Sequence, residues 1–267
     1  MRPLHVVNDE LHVSISQVKT WLRCPRQYEL KYVRGAEPEM VPRALAFGSA
    51  FHAALALHYT AKKNALPASS NEELLAAFRE VWTEQTTTGV AMELVADEAP
   101  NPIDVAAKML AVFHDHVENE DVEVLAVEEP FTARVRNPET GEVLEEQLTG
   151  FIDLIVVEDG HPVVVEHKTS AKKYGNDQLR YDIQPTAYQH AMRERGWEGI
   201  GLRFQVFTKT KAPQVQVEPI IRDGADENDF LRVTVGVLRA IDAGVFFPLR
   251  GWQCRSCQFR RRCGNRP

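Results

Sequence analysis

The sequence predicts an α/β protein with a mixed β-sheet flanked by helices and a helical N-terminal elaboration. Three observations predict it. Up to about residue 120 apolar residues recur at helical spacing, as in Phe47, Ala50, Phe51, Ala54, Leu55 and His58. From residue 122 to 168 β-rich runs alternate with turn signals. Beyond residue 182 a helix, two strands and another helix follow.

Taken in order, residues 14–33 read as two short helices. Ser14 or Ser16 can cap the first, and Pro25 suits the first turn of the second. Residues 44–59 form a helix, Asn71 can cap another through about 85, residues 86–101 connect, and 102–117 are helical again. Strands over 122–136 and 144–157 are separated by Asn137-Pro138-Glu139-Thr140-Gly141, and a third runs from Pro162 to about Lys168. Residues 182–195 form a helix capped by Asp182 with Pro185 in its first turn. Strands near 201–208 and 214–220, a helix over 226–243 and an Arg- and Cys-rich loop complete the chain. No segment resembles a flexible linker, so residues 1–267 are expected to be one domain. It has a mainly helical part (1–120), a sheet and helix (121–220) and a C-terminal helix with its Cys-rich segment (221–267).

Composition is that of a soluble protein, with 44% hydrophobic and 26% charged residues. No run is long enough for a membrane helix and the N-terminus lacks a secretory pattern, which makes the cytoplasm the expected location. A net charge of −7 argues against a protein that coats nucleic acid. Two segments are nonetheless basic. Residues 250–267 carry Arg250, Arg255, Arg260, Arg261, Arg262 and Arg266 without an acid. Residues 16–34 carry Lys19, Arg23, Arg26, Lys31 and Arg34 against Glu29 alone. Two solvated surfaces or the walls of a local groove would both look like this.

The most informative stretch runs from Gly150 to Lys168. Asp159-Gly160 between apolar runs signals a hairpin. A two-residue turn there pairs Glu158 with His161 and, counting back, Asp153 with Glu166. Paired residues share a face, and Lys168 joins it two residues on. Two carboxylates so close repel unless a proton or a divalent cation sits between them, and carboxylate oxygens suit Mg²⁺ or Mn²⁺. A solvated Asp/Glu/Lys cluster is the plainer reading of such a triplet. Gln184 and Tyr188 are one helical turn apart and could steady a phosphate or a lysine. His52 is a competent ligand for Mn²⁺-type metals, although a lone helical histidine is often structural. Four cysteines in a long chain do not suggest a disulfide scaffold. Cys254, Cys257 and Cys263, with Cys24 if the chain ends meet, would suit [4Fe–4S] or tetrahedral zinc.

In this order the pieces resemble the RecB-like PD-(D/E)xK nucleases that carry an iron–sulfur cluster. Relatives of that kind include the AddB nuclease domain and CRISPR-associated adaptation nucleases. The matching elements are Ser14-Ile15-Ser16 through Cys24-Pro25, Gly48-Ser49-Ala50-Phe51-His52, Gly150-Phe151-Ile152-Asp153, Glu166-His167-Lys168, Gln184 with Tyr188, and the closing cysteines. The motif before Asp153 reads Gly-Phe-Ile-Asp, without a Pro-Asp pair. The resemblance implies a restriction-endonuclease-like core with an iron–sulfur clasp joining the chain ends. It implies a catalytic Mg²⁺ or Mn²⁺ on His52, Asp153, Glu166 and the main-chain carbonyl of His167. Lys168 would orient or help deprotonate water, Gln184 and Tyr188 would steady the site or the strand, and Cys24, Cys254, Cys257 and Cys263 would hold [4Fe–4S]. The implied activity is a DNA exonuclease with a preference for single strands or ends, in DNA repair, recombination or end processing. A helicase or a CRISPR adaptation protein is the implied partner, since no helicase motif occurs here. Two alternatives stay open: a non-catalytic DNA-end-binding subunit of such a complex, and a zinc-stabilised scaffold without DNA.

Overall fold

The computed structural model describes residues 5–7, 10–93, 100–118 and 120–264. Arg266 and part of the expected 86–101 connection lie outside them. Strands β1 (His5–Val7) and β2 (Glu10–Ser14) lead into helix α1 (Ile15–Arg23). Helix α2 (Pro25–Tyr28) runs on as a π-helical turn through Val33. Helices α3 (Arg43–Lys63), α4 (Asn71–Thr86) and α5 (Pro102–Val117) follow. Next come β3 (Glu123–Arg136), β4 (Val143–Glu158) and β5 (His161–Ser170). Helices α6 (Asn176–Tyr181) and α7 (Gln184–Glu194), strands β6 (Gly201–Thr208) and β7 (Val215–Ile220) and helix α8 (Gly224–Asp242) complete the elements that shape the site.

The α/β expectation holds, with local corrections. The N-terminal region is not purely helical, since β1 and β2 extend the sheet and β2 pairs parallel with β4. Ser14 caps α1 in a capping box with Gln17. Ser70, rather than Asn71, caps α4, because Glu73 three residues on returns a hydrogen bond to the Ser70 N–H (2.8 Å). Asp182 does not cap one helix over 182–195. It ends α6, and the Gln184 N–H at the start of α7 donates to it at 3.0 Å.

The sheet has seven strands in the order β1-β2-β4-β5-β6-β7, with β3 paired to β4. Its mixed directions follow from two parallel pairings, β2 with β4 and β5 with β6 across α6 and α7, among antiparallel neighbours. Both faces are covered. On one side α1, α7 and α8 pack Val18, Tyr188, Met192, Phe230 and Leu238 onto Ile155, Val164 and Phe204. On the other, α3, α4 and α5 pack Phe51, Leu55, Phe78 and Phe113 onto Leu154, Val156, Val165 and Phe207. A strand buried on both faces needs a near-continuous apolar run, which Ile152–Val157 and Val163–Val165 supply around a few charged positions.

β4 is the trunk of the sheet. β3 lies along one edge from Val143 to Val157. The other edge is shared: β5 takes Leu154–Glu158 and β2 takes Gln147–Thr149. Between them, among the described residues, Gly150–Asp153 has no strand on that edge. The sheet forks there.

Candidate active site

The predicted hairpin register is present. Glu158 pairs with His161 around Asp159-Gly160, and the rungs run back to Leu154–Val165. Asp153 and Glu166 come next, at the point where the ladder stops. The His167 N–H, which in antiparallel alternation would serve the next backbone pair, donates instead to Asp153 Oδ2 at 2.8 Å. Ile152 packs in the first core cluster and Leu154 in the second, although alternation would place them on one face. β4 therefore turns over at Asp153. The cause lies across the strand pair. Val127–Leu154 and Glu129–Ile152 are rungs, but the intervening Glu128 has φ +48°. A left-handed non-glycine inside a strand costs about 1 kcal/mol and persists only where its surroundings hold it. Arg195 at the end of α7 does so, bonding Glu129 Oε1 (3.1 Å) and Pro130 O (2.6 Å).

This turn brings groups from both helical layers to Asp153. His52 on α3 places Nδ1 3.5 Å from Asp153 Oδ1. His52, Glu128 and Asp153 each offer a ligand atom within 4.8 Å of the others. Glu128 is a residue that reading the sequence missed. Glu166, 2% exposed, lies on the α7 side. Tyr188 donates its hydroxyl to Glu166 Oε2 at 2.7 Å, and Lys168 Nζ pairs with Glu166 Oε1. Gln184 joins the two, accepting from Lys168 Nζ (2.9 Å) and donating to Tyr188 Oη (2.6 Å). Lys19 also reaches Gln184 Oε1 (3.3 Å) and is anchored on Asp182 (2.9 Å). The sequence alone makes Lys19 part of a basic segment and Asp182 a helix cap. The His167 ring is on the opposite face, buried and stacked on Tyr59 with centroids 5.7 Å apart. Its part in the site is made by its main chain.

The charges set each other. Burial pushes the Glu166 carboxyl up, the Asp153 charge adds to that, and Lys168 and Tyr188 oppose it. Burial alone would raise Asp153 too, but the His52 hydrogen bond and charge outweigh it and hold this carboxyl low. Burial works to lower Lys168, yet Glu166 and Asp182 keep its ammonium protonated beyond the ordinary lysine range. For His52, burial is again overcome, here by Asp153, and its pKa rises. Glu128 is raised, mostly by burial and then by Asp153. Excess negative charge between His52, Glu128 and Asp153 is what a divalent cation would neutralise.

The cysteines also converge. Cys24, Cys254, Cys257 and Cys263 line one small cavity with Leu30 and Leu249. Cys24 is buried between α1 and α2, and the Leu249 N–H donates to its sulfur at 3.4 Å. Main-chain bonds sew the seam: Arg26 N to Phe247 O (3.1 Å) and Glu39 N to Gln258 O (2.8 Å). Glu39 in turn takes the N–H groups of Arg261 and Arg262. The two basic segments meet here, with Arg23 over the exposed Trp252 ring at 5.8 Å. Arg26 and Arg34 are both paired to Glu29.

A forked mixed sheet with a buried Glu and a half-buried Asp and Lys at the fork is the frame of a class of metal-dependent phosphodiester hydrolases. The model of the PD-(D/E)XK nuclease superfamily matches residues 12–264, and the chain belongs to that superfamily. A solved structure from Eubacterium rectale described as a candidate exonuclease has a similar fold, with TM-score 0.53 and 17% identity over 94% of this chain and 87% of that one. Another, SSO0001, gives a TM-score of 0.35 at 15% identity over 93% and 94%. No curated protein matches the chain. PD-(D/E)XK nucleases use divalent metals such as Mg²⁺ or Mn²⁺, and the fork offers a His/Glu/Asp set for one. Among the described residues no helix is long and apolar enough to cross a membrane.

Proposed function

We propose that this nuclease is a deoxyribonuclease of the RecB-like branch, acting as an exonuclease on single strands or DNA ends in repair, recombination or end processing. Residues 1–267 would work as one domain in the cytoplasm, beside a helicase or CRISPR adaptation partner. The observation that carries the catalytic reading is the joint placement of Asp153, Glu166 and Lys168 at the fork, with His52 against Asp153. A bound Mg²⁺ or Mn²⁺ would activate water and neutralise charge on the scissile phosphate. His52, Asp153 and Glu166 are the proposed ligands, with the His167 carbonyl and with Glu128 added by its proximity. Lys168, held protonated by Glu166 and Asp182, suits a cation facing the phosphate better than a base. Gln184 and Tyr188 fix where Lys168 and Glu166 point.

The four thiols are proposed to hold [4Fe–4S]. Their shared cavity supports the reading, and the Leu249 N–H on Cys24 Sγ is the kind of bond that steadies a thiolate. The basic seam beside it, with Arg23, Arg255, Arg261 and Arg262 exposed, is the proposed path of the DNA backbone. End-labelled single- and double-stranded DNA, with Mg²⁺ or Mn²⁺ and with EDTA, tests the reading. Metal-dependent release of short 5′-phosphorylated products from single strands is expected. Binding to ends without cleavage under any metal would make the chain a DNA-end-binding subunit instead.

A further inference from the structure

The fork does more than expose the carboxylates. A cavity of about 700 Å³ opens at the unpaired Gly150–Asp153 segment, within the range of small-ligand sites. Its floor is the catalytic network itself, since Gln184 and Tyr188 line it. Tyr188 Oη is also 3.0 Å from Phe151 O, so the cavity wall and the Glu166 partner are one contact. Phe151 stands on that wall, 61% exposed although it is only two residues from Asp153 on the trunk strand. A phenyl ring left open there is costly unless something stacks on it. Gly150 beside it admits no side chain, because a Cβ would fall 2.7 Å from the Phe131 ring. The rest of the lining is hydroxyl-rich, with Ser14, Ser16, Thr132 and Thr149, and Lys19 reaches Gln184 from α1.

We infer that this cavity receives one unpaired nucleotide next to the scissile phosphate, its base stacked on Phe151. The inference rests on the nuclease reading above. An aromatic face accepts any base, and hydroxyls offer both donors and acceptors, so the site selects strand state rather than sequence. A base inside a duplex already has neighbours on both faces and cannot lie on Phe151 without leaving the stack, at a cost of a few kcal/mol. Single strands and frayed ends escape that cost. Phe151 is then the residue that sets the preference for unpaired DNA.

The test uses the full-length protein with Phe151→Ala, Phe151→Leu and Phe151→Trp. Single-stranded oligonucleotides carrying 2-aminopurine at successive positions from one end are bound in EDTA, and cleavage is followed separately in Mn²⁺. Wild type should quench the probe at one position through stacking. Ala and Leu should lose that quenching and raise KM for single strands roughly tenfold, the loss of one base–aromatic stack. Trp should restore both. Their melting temperatures should stay near wild type, because the ring is mostly exposed. Normal quenching and KM in a folded, cleaving Phe151→Ala protein would overturn the inference. If no variant or wild type cleaves, the nuclease reading fails, while quenching that depends on Phe151 would still support the nucleotide site.

Discussion

The fork and the cysteine seam both join parts of the chain far apart in sequence, and they do so by opposite means. At the fork, charged groups are buried between two apolar layers, and Glu166 and Lys168 are each held by several partners. At the seam, apolar burial is thin. Phe247, Leu249 and Trp252 are exposed, while Cys24, Leu30 and Phe259 are buried. The fork is therefore held by its surroundings and is free to be electrostatically strained. The seam is held by main-chain bonds and by Glu39, and the proposed cluster would add to them. Substitutions should separate the two regions: at the fork they should remove activity and spare stability, and at the seam the reverse.

The largest effect is expected at Asp153. Asp153→Ala should lower cleavage on the order of a thousandfold, about 4 kcal/mol of barrier. Its urea midpoint should fall only modestly, since losing the His52 and His167 N–H partners is offset in part by relief of Glu166. An active Asp153→Ala enzyme would break the comparison at its catalytic end. Next comes the seam. Closing a loop from Cys24 to the C-terminal cysteines costs about 4–5 kcal/mol of chain entropy by polymer estimates, which the proposed cluster would offset. Cys24→Ser should cost about 3 kcal/mol in chemical denaturation and bleach the absorption near ~400 nm of protein purified without oxygen. A colourless protein of unchanged stability would show that the seam holds without a cluster.

A smaller effect sharpens the fork itself. Glu128→Gln should weaken Mn²⁺ binding, measured by calorimetry without DNA, about tenfold, and should leave folding intact. Unchanged affinity would return Glu128 to a purely conformational role. The smallest effect is a pH slope. Burial, with Lys62 and His114 nearby, lowers buried His58 to about 4, so the folded protein keeps it neutral. The unfolded chain takes up that proton below about 6.5, so stability should fall as pH drops from 6.5 toward 4. The slope from one such group is at most about 1.4 kcal/mol per pH unit. His58→Leu should flatten it in urea titrations at pH 7 and 5, and an identical slope would refute the assignment.

What was legible in the sequence was local. Asp159-Gly160 sets the hairpin register as far as Leu154–Val165, and Asp153 and Glu166 follow at the next step, where the turn of β4 has no local signal. The helical spacing around His52 sends it to the sheet, and Gln184 and Tyr188 one turn apart reach Lys168 and Glu166 together. The illegible parts depend on distant partners. β2 pairs in parallel with Gln147–Thr149, and parallel pairing has no nearby turn to announce it. Glu128 sits in a Glu-Glu-Pro run that resembles a solvated edge. Only its left-handed backbone opposite Asp153 brings its carboxylate toward His52 and Asp153, although the residue stays exposed. Lys19 and Asp182 looked like a surface charge and a helix cap because their meeting spans most of the chain.

The gap in the trunk strand has a consequence in hydrogen exchange. Amides along β4 that face β5 or β2 are locked in rungs and should exchange only when the sheet opens. Those of Gly150–Asp153 on the same edge have no strand to hold them, so a short fast-exchanging window should interrupt an otherwise slow strand. The His167 amide should behave differently from both, because its partner is the Asp153 carboxylate and not a carbonyl. Its exchange should report the state of that carboxylate directly. Slowing in the Gly150–Asp153 window with bound oligonucleotide, and a change at His167 with Mn²⁺, would let one deuterium experiment read strand binding and metal binding as separate events.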